Sequence, residues 1–135
     1  MPSTNLLTLT DSYKLSHYRQ YPQGSQHVFS YFESRVGAKF DSTVFFGLQA
    51  LLKEHLVGKV VTEQKIADAK ALSDAHMGPG LFNEAGWTRL LQKHGGTLQV
   101  RIRAVLEGTA VPTGHVLMTI ENTDSEFPWL TNYLE

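Results

Sequence analysis

The spacing of apolar side chains changes character along this chain. Between residues 43 and 91 they recur every third or fourth position, the helical period; from Leu98 they alternate with polar residues, the strand period. Thr43 to Leu56 brings Val44, Leu48, Leu51, Leu52 and His55 to one side of a predicted helix, with Gly58 as its stop. Thr62 is placed to cap a second helix, carrying Ile66, Ala69, Leu72 and Ala75, which Met77-Gly78-Pro79-Gly80 breaks. Asn83 is placed to cap a third, with Trp87, Leu90 and Leu91 on its buried stripe and Gly95-Gly96 ending it. Leu98, Val100, Ile102, Ala104 and Leu106 then predict a strand, and Gly108 and Pro112-Thr113-Gly114 separate it from another over His115 to Glu121. Asn122-Thr123-Asp124 reads as a turn.

The two ends are less regular. Asp11 is placed to cap a short helix over Ser12 to Tyr18, which must stop before Pro22, and Pro22-Gln23-Gly24-Ser25 reads as a turn. His27 to Arg35 predicts a strand with Val28, Ser30, Phe32 and Ser34 on one face and Phe29, Tyr31, Glu33 and Arg35 on the other; Gly37 to Ser42 is a loop. At the far end Pro128 suits a first helical turn, served by Ser125 or Glu126, and Trp129, Leu130, Tyr133 and Leu134 follow. No glycine, asparagine or basic residue closes that helix. Either it docks on its own core or further chain covers its apolar face; its shortness and open end point to the second.

These elements predict an α+β fold, N-terminal helices with a mostly antiparallel sheet, in a single domain of 135 residues that is incomplete at its C-terminal end. The length suffices to bury roughly two thirds of the unfolded surface, so a core needs no staples. Apolar residues make up 41% and charged residues 19%, ordinary values for a folded domain. The formal net charge of −1 offers no field to gather nucleic acid or an anionic membrane. No apolar run approaches the ~20 residues of a membrane span, and Met1-Pro2-Ser3-Thr4-Asn5 lacks the basic start of a signal peptide. With no cysteine there is no disulfide framework and no thiolate chemistry, which is compatible with the cytosol.

Candidate chemistry is sparse. The six histidines form no close metal-ligand pair, so no metal site is expected, and no phosphate-binding glycine loop, serine elbow or zinc-protease pattern is present. Two constellations stand out. In Asp11-Ser12-Tyr13-Lys14-Leu15-Ser16-His17-Tyr18, Tyr13 and His17 are four apart and would share a helix face, an aromatic ring beside an imidazole that could stack on a flat heteroaromatic ligand. Spacing alone favours the plainer reading, two side chains packed on the domain. In Ser30-Tyr31-Phe32-Glu33-Ser34-Arg35, the arginine enters a loop that also carries Lys39 and could hold a phosphate through paired hydrogen bonds. A surface salt bridge with Glu33 is the plainer alternative.

Read in order, these stretches resemble the nicotinamide phosphoribosyltransferase family. The likeness rests on Thr10-Asp11-Ser12-Tyr13-Lys14 with His17-Tyr18, Ser30-Tyr31-Phe32-Glu33 with Arg35, and Thr43-Val44-Phe45-Phe46-Gly47-Leu48-Gln49. It continues through Gly58-Lys59-Val60-Val61-Thr62, Phe82-Asn83-Glu84-Ala85-Gly86-Trp87, Glu121-Asn122-Thr123-Asp124 and Trp129-Leu130-Thr131-Asn132. Family members resembling this chain are longer cytoplasmic homodimers that join nicotinamide to phosphoribosyl pyrophosphate, giving nicotinamide mononucleotide and pyrophosphate, the salvage route to NAD. The resemblance implies the opening part of the α+β domain of a type II phosphoribosyltransferase, with the barrel domain absent. It implies substrate-binding roles for Tyr13 (stacking on the nicotinamide ring), Asp11 (near the same ligand) and Arg35 (on the phosphate-rich substrate), with Tyr13 and Arg35 reaching a partner protomer's site and Lys14 and His17 as supports. It also implies Mg2+ and ATP for the full enzyme, neither held by this chain alone, and no catalytic residue or activity within these residues alone. Two other readings compete, a nicotinate phosphoribosyltransferase fragment and a non-catalytic interaction module.

Overall fold

A computed structural model describes residues 4–135. Of the N-terminal segment read above against a signal peptide, Met1, Pro2 and Ser3 lie outside the described residues. The fold is α+β, with two small antiparallel sheets and helices gathered on one core, and no closed barrel among the described residues.

Three strands make the larger sheet: β1 (Phe29–Glu33), β3 (Val100–Ala104) and β5 (Val116–Asn122), in the order β1-β5-β3. Ser30, Ile120 and Ile102 stand in register across it, as do Phe29, Glu121 and Arg101. One face is therefore apolar and the other carries the charges, as alternation requires. The predicted strand over residues 27–35 is shorter than expected. The register shifts between Phe32 and Glu33, where Leu117 of β5 is the extra residue, and β1 ends at Glu33, before Arg35.

The smaller sheet corrects the prediction. The helix expected from Thr43 does not begin there: β2 (Ser42–Val44) pairs with β4 (Ala110–Pro112), a strand hidden in what read as a turn. Gly47, at φ +101°, breaks the chain between β2 and α1 (Leu48–Leu51), a conformation open to glycine. α1 runs on into a wide π-type turn, Leu52–Leu56.

The two central helices follow their caps. α2 (Glu63–Met77) starts where Thr62 Oγ1 accepts the amide proton of Lys65 at 3.2 Å, and α3 (Glu84–His94) where Asn83 Oδ1 accepts that of Gly86 at 3.1 Å. α2 buries Ile66, Ala69 and Ser73 and leaves Leu72 exposed; α3 buries Trp87 and Leu90 completely. Gly96, at φ +88°, brings its carbonyl within reach of the Val60 and Val61 amides, and a Cβ there would sit 2.2 Å from the Val61 carbonyl oxygen.

α4 (Leu130–Leu134) settles the question of its apolar face. Trp129, Leu130 and Tyr133 are buried within this chain, so the expectation that they need further chain for cover is corrected. The cover is an edge-to-face aromatic cluster: Trp87 lies 4.8 Å from Trp129 and 5.1 Å from Tyr133 by ring centroid. The Tyr133 hydroxyl donates to the Leu7 carbonyl at 2.6 Å, and the buried Thr131 hydroxyl donates to that of Val28 at 3.0 Å. Neither Ser125 nor Glu126 caps this helix.

Candidate functional site

The segment that carries the first constellation is not one helix. Two 3-10 turns, Ser12–Leu15 and His17–Arg19, replace the helix expected over residues 12–18. Asp11 makes no side-chain capping bond. Its carboxylate accepts the Tyr13 hydroxyl instead, at 2.9 Å, so the acid is spent on the phenol rather than on free amides. Leu15 is buried and seats the turn, and the Thr10 hydroxyl donates to the Tyr133 carbonyl at 3.1 Å, tying the segment to α4.

This arrangement leaves the Tyr13 ring open. Its relative exposure is 56%, and the His17 ring stands beside it at 5.1 Å between centroids, tilted by 44°. The hydrogen bond to Asp11, and next the charge on that carboxylate, raise the Tyr13 phenol above its ordinary range. It therefore remains a neutral donor with a fixed direction, and one ring face is available for stacking. Asp11 and Lys14 line a shallow cavity of about 340 Å³ with Leu9, Thr10, Tyr133, Leu134 and Glu135. Asp11, Tyr13, Lys14 and His17 thus come together, although Tyr13 and His17 reach one another through a turn.

Arg35 is placed elsewhere. It leaves β1 at the exposed turn whose Ala38 amide bonds back to the Arg35 carbonyl, beside Gly114, whose amide donates to the Ser34 carbonyl at 2.9 Å. Among the described residues Arg35 forms no ion pair, with Glu33 or any other acid, and it lines none of the cavity at Asp11. Lys39 in the following loop lies over the ring of Phe40 at 5.5 Å. Both Tyr13 and Arg35 are at the surface, where a second polypeptide could meet them.

Sequence reasoning missed two features. Ser12 Oγ and His76 Nε2 are 2.8 Å apart across 64 positions of chain, a contact no local pattern signals. An apolar hollow of about 390 Å³ also opens between α1 and the larger sheet, lined by Leu48, Leu52, Ile102, Met118 and Ile120 among others. Among the described residues no three His, Asp or Glu side chains gather within reach of one metal ion, and no helix is long and apolar enough to cross a membrane.

Comparison with known proteins gives one answer. Residues 5–102 match the family model described as nicotinamide phosphoribosyltransferase, N-terminal domain. A nicotinamide phosphoribosyltransferase of Xanthomonas campestris pv. campestris is 55% identical over 131 residues, 97% of this chain and 27% of the relative. One from Acinetobacter baylyi is 33% identical over 144 aligned positions, again 97% of this chain and 28% of the relative. The chain therefore spans about a quarter of the length of the curated relatives it matches. On the family match across most of its length and on the two relatives, this chain belongs to the nicotinamide phosphoribosyltransferase family, whose N-terminal domain it represents.

Proposed function

We propose that this chain supplies the N-terminal α+β part of an enzyme that transfers phosphoribosyl from phosphoribosyl pyrophosphate to nicotinamide in NAD salvage. The observation that carries the reading is the exposed Tyr13 ring, hydrogen-bonded to Asp11, which with Lys14 lines the adjoining cavity. The family and the names of both relatives support the substrate pair.

The reaction is a displacement at the ribose anomeric carbon. The pyridine nitrogen lone pair forms the new bond to carbon, and the carbon–oxygen bond to pyrophosphate breaks with its electron pair leaving on oxygen. Little covalent help is needed from the protein, so holding ring and phosphates in line supplies much of the rate. Tyr13 would hold the ring by stacking, and Arg35 would hold phosphate oxygens by charge-assisted bonds. Asp11 orients Tyr13, with Lys14 and His17 as supports. Arg35 lies outside the cavity at Asp11, which fits a site assembled with a second, identical protomer; the compartment proposed for that dimer is the cytoplasm. Magnesium would shield the departing pyrophosphate and ATP would couple to the reaction; their ligands are assigned to the polypeptide beyond this segment, and no role above depends on them.

The test is steady-state kinetics of the complete polypeptide carrying this segment. Arg35→Ala should raise the KM for phosphoribosyl pyrophosphate by roughly ten- to a hundredfold, the cost of lost charge-assisted bonds. The KM for nicotinamide should stay unchanged. Tyr13→Ala should show the opposite split. Unchanged constants for either variant contradict its assignment, and faster turnover of nicotinate than of nicotinamide would replace the substrate.

A further inference from the structure

The turn that presents Tyr13 is not seated on solid core throughout. Beneath it lies a cavity of about 80 Å³, lined by Thr8, Thr10, Ser12, Ala69, Ser73 and His76 among others. Ser73 is buried to 1% exposure, and its hydroxyl, on the wall of this hollow, finds no protein partner. Leu15 is buried but lines this hollow too, as Ser12 does, so the turn spans a gap on its inner side.

The contact across that gap is Ser12 Oγ to His76 Nε2, at 2.8 Å. His76 occupies the last turn of α2, which is anchored in the core by Ile66 and Ala69. The same end of α2 is braced further. Asp74 pairs with Lys70 at 2.7 Å and accepts the Gly80 amide at 3.2 Å, and the Arg19 guanidinium donates to the Gly80 carbonyl. So the end of α2, with the Gly80 turn that follows it, holds both 3-10 turns, the first at Ser12 and the second at Arg19.

We infer that His76 is a positioning residue for Tyr13: through Ser12 it sets the placement of the turn, and so the ring's alignment with nicotinamide. The inference rests on the reading of Tyr13 as the ring-stacking residue. His76 touches no substrate in this account. Imidazole suits the post, because in either protonation state it can share a hydrogen with a hydroxyl that both donates and accepts.

The experiment compares His76→Leu, Ser12→Ala, His76→Gln and Tyr13→Ala in the complete polypeptide carrying this segment, reading both KM values, kcat and the thermal midpoint. His76→Leu and Ser12→Ala should each raise the nicotinamide KM by roughly threefold to tenfold, the net worth of one neutral hydrogen bond. Their combination should add nothing beyond the single changes, because each breaks the same bond. The KM for phosphoribosyl pyrophosphate and the thermal midpoint should stay put. His76→Gln, which keeps a donor at similar reach, should restore the nicotinamide KM. Ser12 is exposed, so Ser12→Ala reports even if His76→Leu folds poorly. If Tyr13→Ala raises the nicotinamide KM while Ser12→Ala and His76→Leu leave it unchanged, the inference fails and the site reading stands. If Tyr13→Ala leaves it unchanged, both fail.

Discussion

Tyr13 owes its usefulness to a division of labour within one side chain. The hydroxyl is committed to Asp11, 2.9 Å away, while the ring keeps 56% of its surface open. Removing the two parts should have different costs. Tyr13→Phe keeps the ring and loses only the tether, so the nicotinamide KM should rise by a few-fold, about the worth of one hydrogen bond. Tyr13→Ala removes the stacking surface as well and should raise it roughly tenfold or more. Equal effects in the two variants would mean that the hydroxyl, not the ring, does the binding. That Asp11, Tyr13, Lys14 and His17 come together was legible because they lie within seven residues, but the tether and the open ring were not, since Asp11 read as a helix cap and spacing alone favoured a packed Tyr13. Ser12 and His76 were not, since 64 positions separate them and each alone is an ordinary surface residue.

Among the elements, the caps of the two long helices were clear signals, whereas the caps expected at Asp11 and at Ser125 or Glu126 do not form, and strand length was read poorly. Thr62 and Asn83 begin α2 and α3 as a capping side chain should, and Thr62→Ala or Asn83→Ala should each lower stability by about 1 kcal/mol, measurable by chemical denaturation. The helix expected from Thr43 to Leu56 failed because its apolar spacing fits both periods over so short a stretch, and Gly47 at φ +101° divides it. β4 was missed because its three residues end in Pro112, which reads as a turn and sits as Ser42's partner on an edge. The turn after β5 offers a pH-dependent prediction. Asp124 accepts the Glu126 amide, Lys93 at 2.7 Å and His94 at 2.7 Å, and these bonds hold its carboxyl well below the usual carboxylate range. Because the folded value lies below the unfolded one, this contribution is complete above about pH 4 and is lost progressively as the pH falls further. Asp124→Asn should therefore lower the thermal midpoint at pH 7 and shrink the gap to the unaltered chain as the pH drops below 4; a gap constant with pH would contradict this.

On the scale of the whole molecule, the α+β class could be read from the change of hydrophobic period, whereas the packing of the last helix could not. Its four aromatic and aliphatic side chains pointed to missing cover, yet Trp129, Leu130 and Tyr133 are buried against Trp87 and Phe127, with the Tyr133 phenol bonded to Leu7. Burial pushes that phenol above its ordinary range, so it stays a neutral donor. What the chain offers to chemistry is partial: an exposed ring bonded to an acid, a lysine beside them, and an arginine on another turn that does not line the same cavity. The central claim is that the remaining walls of the pocket come from other polypeptide. The most direct test is to assay the purified 135-residue chain, shown to be folded by a cooperative melt, for nicotinamide mononucleotide formed from nicotinamide and phosphoribosyl pyrophosphate. The account predicts none above the blank; product formed by the isolated chain would contradict it.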